Sequence, residues 1–144
     1  MQIKTTTVLD SQIHAHSVAI RTAVFVKEQN VPTELEVDED EGKCVYFVGY
    51  NNAGTPMATL RLNPESYGYH VQRVAVMKQA RGTGLGREIM QKAIEYAKEH
   101  GAEKLVLGAQ THATGFYEGL GFTYTNKPEF MDAGIPHREM QLKL

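Results

Sequence analysis

The most constraining feature of the sequence is a valine-rich run that leads through a cluster of glycines into a long amphipathic segment. Residues 71–87 read VQRVAVMKQARGTGLGR. Valines favour a strand, and glycines permit a tight turn. From about Gly84 to His100, apolar residues recur at three- and four-residue steps, which predicts a helix. These residues are Leu85, Ile89, Met90, Ala93, Ile94 and Ala97. The chain therefore joins a strand to a helix across a glycine-rich turn.

This glycine turn is suited to binding a phosphate or pyrophosphate group. Glycines let backbone N–H groups approach phosphate oxygens, and a helix N-terminus adds partial positive charge. Arg81 and Arg87 would add to that charge. The spacing does not match GxGxxG, because Arg87 stands where the third glycine is required, and no Gly-Lys-Ser/Thr follows for a P-loop. A nucleotide-dependent oxidoreductase is therefore disfavoured, and a plain tight turn is the structural alternative.

Length and composition predict one globular domain over residues 1–144. A chain of 144 residues is long enough for one core and short for two. Its 42% hydrophobic and 22% charged residues are ordinary for globular proteins. No apolar run approaches the roughly 18 residues that a membrane span needs, and the N-terminus lacks the apolar core of a signal peptide. We therefore expect a cytoplasmic protein without a membrane partner.

The charge balance argues against a nucleic-acid partner. Fifteen basic and 17 acidic residues give a net charge of −2. Residues 1–71 carry 5 basic and 9 acidic groups, or −4, whereas residues 72–144 carry 10 and 8, or +2. This separation suggests that the second half meets an anionic cofactor, with chance clustering as the alternative.

The single cysteine, Cys44, cannot form an internal disulfide, which fits a reducing compartment. It lies in the strand-like run Cys44–Val48, so we expect a buried structural thiol and not a nucleophile. CxxC and HExxH motifs are both missing from the sequence, which therefore predicts no metal site.

Further along the chain, alternation and breakers predict several strands and two more helices. Asp10 or Ser11 would cap a first helix that runs to about Lys27, and a short helix would span Ala113–Leu120. The predicted strands are Ile3–Val8, Val45–Tyr50, Met57–Leu62, Tyr69–Met77, Lys104–Ala109, Phe122–Thr125 and Glu139–Leu144. Strands that first run consecutively and then alternate with helices predict an α/β (α+β) fold with a mixed sheet.

The acidic stretch Glu34–Glu41 has two interpretations. Six acids in eight residues favour a solvated loop or short helix. The alternative is one wall of a site for a cationic amine, since carboxylates attract such groups. A calcium loop is excluded because Gly42 falls at position five counted from Asp38, not six.

Two segments resemble the GNAT acetyltransferase superfamily. Residues 79–84, Gln-Ala-Arg-Gly-Thr-Gly, match its Q/R-x-x-G-x-G/A signature. Residues 113–122, ATGFYEGLGF, resemble its A-x-x-F-Y-x-x-L-G-F segment about 30 residues downstream. The resemblance covers residues 1–144. Residues 21–29, 36–38 and 129–137 look like the small ElaA-like and YjcF-like branch.

The resemblance implies a mixed, largely antiparallel central sheet of about six to seven strands flanked by about four helices. It implies acetyl-CoA as acyl donor and an amine acceptor, and it is compatible with a homodimer. The backbone of Val74, Ala75 and Val76 would bind the pantetheine arm as an added strand does. The implied pyrophosphate cradle comprises Gln79, Arg81, Gly82, Thr83, Gly84, Leu85, Gly86 and Arg87. His112 stands where many members have an asparagine that contacts the pantetheine.

Tyr117 matches the family tyrosine that protonates the departing thiolate and contacts the cofactor. A phenol with a pKa near 10 is close to a thiol near 8.5, which suits that role. The alternative is a packing role beside Phe116. The rival interpretation of the whole chain is a non-catalytic module that binds acyl-CoA without turning it over.

His70 is the candidate general base, because no acidic residue lies between Tyr69 and Met77. Two-residue alternation places His70 on one strand face with Gln72 and Val74. Imidazole accepts a proton at neutral pH. Ordered water is the alternative base, which would leave His70 a structural residue.

Overall fold

The computed structural model describes residues 1–32 and 38–144, which form one eight-stranded mixed sheet. Neighbouring strands follow the order β1-β2-β3-β4-β5-β8-β6, and β7 also pairs with β8. All pairs are antiparallel except β4 with β5. The strands are β1 Gln2–Thr6, β2 Val45–Tyr50, β3 Pro56–Glu65, β4 Gly68–Val76, β5 Lys104–Gln110, β6 Thr123–Tyr124, β7 Phe130–Asp132 and β8 Ile135–Lys143. The predicted mixed, largely antiparallel sheet is confirmed, with one strand more than expected.

Three α-helices flank this sheet in the described residues, where the sequence predicted about four. They are α1 Gln12–Arg21, α2 Leu85–Glu99 and α3 Thr114–Glu118. The Oγ of Ser11 accepts the N–H of His14 at 3.2 Å, so Ser11 is the cap of α1. A π-helical segment, Thr22–Glu28, continues α1 without a break and accounts for the predicted helix end near Lys27. None of the helices in the described part of the chain is long and apolar enough to cross a membrane.

The sheet has a hydrophobic core on each face. On one face, α2 buries the apolar stripe predicted from its periodicity against β2, β3, β4 and β5. On the other face, α1 and the π-helical segment bury Ile20 and Val24 against Val48, Tyr50 and Ala75. A strand of this sheet therefore contacts α2 with one set of alternate side chains and α1 with the other.

Two strands, β3 and β8, extend well beyond their predicted bounds. β3 continues through Pro64 to Glu65, although the sequence placed its end at Leu62. Pro64 is tolerated because β2 pairs with β3 only as far as Leu62, which leaves the outer edge of β3 open beyond that point. β8 begins at Ile135, because a turn with positive φ at Ala133 and Gly134 pairs it with β7, which the sequence analysis missed.

The sheet splits between its two parallel strands. β4 and β5 pair only from Gly68 with Lys104 to Val71 with Leu107. Beyond that point β4 continues with β3, and β5 continues with β8 as far as Gln110. The two strands therefore diverge and leave a gap in the middle of the sheet.

Candidate active site

The gap between β4 and β5 opens into a cavity of about 690 Å³. The π-helical segment, β4, β5, β7 and β8 line it. Seven of the predicted site residues line this cavity: His70, Val74, Ala75, Val76, Arg81, His112 and Tyr117. The other predicted residues, Gln79 and 82–87, lie in the turn and first helical positions that follow β4. The structure thus brings the two motifs together around one cavity.

The cavity edge of β4 presents backbone groups that no neighbouring strand uses. The N–H of Met77 donates to Met57 O on β3 at 2.7 Å. Because backbone groups alternate in direction along a strand, Val76 and Val74 direct theirs away from β3. The Val76 carbonyl does face that way, since it accepts Arg81 Nε at 3.1 Å. An extended chain in the gap could therefore hydrogen-bond to this edge.

A β-bulge interrupts β4 in the middle of this edge. Leu60 of β3 opposes two residues, Arg73 and Val74, and Arg73 has a φ of 55°. Val74 consequently packs toward the α2 core, whereas alternation from the buried Val71 directs Gln72 toward the α1 side. The prediction that His70, Gln72 and Val74 share one face is wrong, because the extra residue reverses the alternation.

The glycine turn leaves hydrogen-bond donors exposed at the start of α2. Gly82 and Gly84 have φ values of 79° and 88°, and a Cβ at either would have no heavy atom within 4 Å. Gly84 is the cap of α2 and provides no side-chain acceptor. Among the described residues, nothing accepts the N–H groups of Gly84, Gly86 or Arg87. Unpaired donors at a helix N-terminus fit a phosphate group.

Packing fixes this turn against β4. A Cβ on Gly86 would lie 3.2 Å from Cγ2 of Val76, so a larger residue there would require Val76 to shift by a few tenths of an ångström. The side chain of Leu85 is buried in the α2 core, which leaves only its backbone for a ligand. Gln79 and Arg87 are exposed, and Arg87 Nη1 donates to Gly119 O at 3.4 Å.

The Arg81 side chain forms an ion pair with Glu28. Its Nη1 and Nη2 donate to the Glu28 carboxylate at 2.7 and 2.8 Å. This hydrogen bond raises the pKa of Arg81 and lowers the pKa of Glu28. The guanidinium thus connects the end of the π-helical segment to the glycine turn, where the sequence predicted a charge directed at phosphate.

Tyr117 is buried beside the cavity. Its ring makes edge contacts with Phe116 and Phe122, at centroid distances of 5.1 and 5.9 Å. Its hydroxyl has no hydrogen-bond partner among the described residues. Burial raises the pKa of Tyr117 far above its usual range. The phenol is therefore protonated at neutral pH, but the close pKa match to a thiol expected from sequence does not hold for this buried group.

Two histidines line the cavity on either side of the gap. Burial lowers the pKa of His70, against the opposing charges of Glu65 and Glu139, so its imidazole is neutral at pH 7. His112 Nε2 lies 2.6 Å from Gln110 Oε1. His70 is thus able to accept a proton, and His112 is held at the end of β5.

The sequence analysis missed a group that we name the arginine–carboxylate cluster: Arg21, Asp38, Glu41 and Arg61. Both guanidiniums are fully buried. Glu41 accepts two hydrogen bonds from Arg21, at 2.7 and 2.9 Å, and one from Arg61 at 3.1 Å. Asp38 Oδ2 accepts Arg61 Nη2 at 2.7 Å. Burial acts to raise the pKa of Glu41, but hydrogen bonds from Arg21 and His14 hold this pKa at about 2.

The acidic stretch contains the short helix that the sequence predicted, a 3₁₀ turn at Glu39–Gly42, but the cluster corrects the interpretation of its carboxylates as solvated. Residues 34–37 of that stretch lie outside the described residues, but Asp38 and Glu41 are ion-paired to buried arginines. A signal was present in the sequence: Arg61 is the one charged residue of the predicted strand Met57–Leu62, and a guanidinium buried there requires a carboxylate. Cys44 is buried, as expected, and burial raises the pKa of its thiol to about 11.

The comparisons with known sequences agree with this geometry. A model of the acetyltransferase (GNAT) domain matches residues 8–144. YjcF of Bacillus subtilis, named an uncharacterized N-acetyltransferase, is 40% identical over 121 residues, which cover 84% of this chain and 86% of YjcF. The chain therefore belongs to the GNAT acetyltransferase family and is an acyl-CoA-dependent acyltransferase.

Within that family the chain lies in the YjcF and ElaA branch, as its sequence predicted. ElaA of Escherichia coli is 32% identical over 131 residues, which cover 88% of this chain and 84% of ElaA. Among solved structures, a Lactobacillus plantarum protein superimposes with a TM-score of 0.88 and 32% identity, covering 99% of this chain and 97% of that one. An aminoglycoside 6'-N-acetyltransferase complexed with coenzyme A shares the fold, with a TM-score of 0.73, 11% identity and coverage of 99% and 97%.

Proposed function

We propose that this chain, acting as a single domain, transfers the acetyl group of acetyl-CoA to a primary amine by direct attack. The observation that carries the proposal is the open edge of β4 beside unpaired donors at the start of α2. The pyrophosphate would bind the N–H groups of Gly84, Gly86 and Arg87. The pantetheine arm would then extend along Val74 and Val76 into the cavity, as an added strand does.

The reaction needs no covalent enzyme intermediate. The neutral amine attacks the thioester carbonyl carbon, a C–N bond forms and the C–S bond breaks. The thiolate leaves with the electron pair and takes one proton, while the amine loses one. Cys44 does not serve as nucleophile, because its thiol is buried and protonated at neutral pH. The proton donor to the thiolate is Tyr117, whose hydroxyl is protonated and free of other partners among the described residues.

The proton from the amine goes to His70 or to ordered water, and a pH profile separates the two. If His70 is the base, kcat/KM falls below an apparent pKa that is lower than 6.5, because burial lowers the pKa of His70. His70→Gln then removes this acidic limb. An unchanged profile in the variant assigns the step to water and leaves His70 a structural role.

Thiol release from acetyl-CoA tests the proposed activity. The assay uses four acceptor classes: a small amine, an aminosugar, a polyamine and a lysine-containing peptide. We expect release of free CoA with at least one class, at a rate above hydrolysis without acceptor. Binding of CoA, measured by thermal shift, together with no turnover for any acceptor would overturn the proposed transfer and identify a binding module.

A further inference from the structure

The bulge of β4 has an arginine where glycine is the usual residue. Arg73 is the first of the two residues that oppose Leu60, and its φ of 55° is left-handed. In bulges of this kind the first residue is commonly glycine, because other residues have a cost of about 1–2 kcal/mol in that conformation. An arginine here therefore has a conformational cost that a contact of its side chain can offset.

One contact of that side chain is with Asp38 of the arginine–carboxylate cluster. Arg73 Nη2 lies 3.3 Å from Asp38 Oδ2, and the same oxygen accepts Arg61 Nη2 at 2.7 Å. Arg61 also donates from Nε to Gln72 Oε1 at 2.9 Å. Asp38 thus contacts Arg73 of the bulge directly. It is also linked to Gln72, the preceding residue, through the buried Arg61.

The arginine–carboxylate cluster is held to α1 by the ion pair between Arg21 and Glu41. Arg61 donates to Glu41 at 3.1 Å, and Glu41 also accepts two hydrogen bonds from Arg21 of α1. Arg21 and Arg61 are fully buried. A buried ion pair is hard to displace, because moving one partner leaves an uncompensated charge in the interior. The bulge is therefore connected to α1 through a series of ion pairs from Arg73 to Arg21.

We propose that Asp38 is a positioning residue, which holds Arg73 in its left-handed conformation and so directs the backbone of Val74 and Val76 into the gap. The inference rests on the proposed function, since these backbone groups would align the pantetheine and the thioester. Asp38 and Arg73 lie outside both family motifs, and both would then help to set the geometry of acetyl transfer.

A double-mutant cycle tests this role. Asp38→Asn keeps the oxygen that caps the N–H of Asp40 but removes the charge. We expect kcat to fall about tenfold while KM for acetyl-CoA changes less than about threefold, because misplacement affects the reacting end most. In an Arg73→Gly background the same substitution should lower kcat less than about twofold, because glycine adopts the left-handed conformation unaided. Equal losses in both backgrounds would overturn the proposal.

Controls separate this role from general destabilisation. Asp40→Asn is the matched variant: Asp40 lies on the same turn but bonds Lys43 and Asn63 instead of the bulge. Its kcat should match that of the unaltered protein. If Asp38→Asn does not fold, Arg73→Gly and Arg73→Ala are compared. The glycine variant should keep its turnover and the alanine variant should lose about tenfold, because only alanine strains the backbone. Equal turnover in these two variants contradicts the proposal.

A second readout does not depend on activity. Amide hydrogen exchange of the peptide spanning β4 should rise in Asp38→Asn and rise less when Arg73→Gly is also present. If the unaltered protein turns over no amine, the proposed function fails, and the exchange experiment still decides whether Asp38 holds the bulge. Unchanged exchange in Asp38→Asn overturns the inference.

Discussion

The glycine turn and the arginine–carboxylate cluster both adjoin β4. They differ in whether their hydrogen-bonding groups have partners within the protein. At the turn, the N–H groups of Gly84 and Gly86 have no acceptor in the described part of the chain. In the cluster, Glu41 accepts hydrogen bonds from Arg21, Arg61 and His14. Unpaired N–H groups of this kind are available to the pyrophosphate that we propose binds there, whereas the buried charges of the cluster are already paired within the protein.

The largest expected effect comes from breaking the cluster. Glu41→Ala leaves the buried guanidiniums of Arg21 and Arg61 without a shared carboxylate, and we expect a loss of about 3–5 kcal/mol in the free energy of unfolding. Urea denaturation measures it. Glu39→Ala, an exposed acid on the same turn, is the control and should change stability by less than about 0.5 kcal/mol. Similar losses in both variants would contradict the assigned role of the cluster.

Acid should weaken the same cluster without mutation. The folded-state pKa of Glu41 is held at about 2, below its ordinary value of 4.5. The stabilisation is therefore fully present above pH 5, and it decreases as the pH falls from about 5 to 2, by on the order of 3 kcal/mol. Denaturation midpoints across this range measure the loss. Glu41→Ala should flatten this dependence, and an equally steep curve in the variant would contradict the prediction.

Among the substitutions around the cavity, Tyr117→Phe should cause the largest loss of activity. It removes one hydroxyl and keeps the ring between Phe116 and Phe122. Turnover should fall about 100-fold, the typical contribution of a general acid, while the Kd for CoA measured by calorimetry stays the same. Tyr124→Phe, at an exposed tyrosine outside the cavity lining, should leave turnover unchanged. Near-normal turnover in Tyr117→Phe would mean that the residue only packs.

A side chain on the turn should block the unsatisfied donors. Gly84→Val should weaken CoA binding at least tenfold, because valine tolerates a φ of 88° poorly and covers the helix N-terminus. Gly54→Val is the matched control: its φ is 80°, a Cβ there also meets nothing within 4 Å, and it lies in the β2–β3 hairpin. Its Kd for CoA should equal that of the unaltered protein. Equal losses in both variants would point to backbone strain alone.

The smallest effect concerns the Glu28–Arg81 ion pair, which connects the π-helical segment to the glycine turn. Glu28 and Arg81 have side chains 40% and 43% exposed, so their ion pair contributes less than about 1 kcal/mol. If CoA competes with Glu28 for the guanidinium, Glu28→Gln tightens CoA binding about two- to fivefold. Arg81→Ala then weakens it, more at low salt than at high salt. An unchanged Kd in both variants would limit Arg81 to a structural role.

Much of the fold was predictable because it depends on residues close together in the chain. The periodicity of α2, the cap at Ser11 and the strand-like run of β2 each follow from a local pattern. The glycine turn was predictable for the same reason, since positive φ is a property of single residues. The family motifs then pointed to Tyr117, which does line the cavity.

Tertiary structure alone decided the direction of the side chains on β4 and the partners of the buried charges. One extra residue at Arg73 reverses the alternation of the strand, and this bulge exists only relative to the register of β3. Asp38 contacts Arg61 and Arg73 across 23 and 35 residues of sequence. Local patterns determine the conformation of a segment, but the pairing of buried charges depends on which segments the sheet brings together.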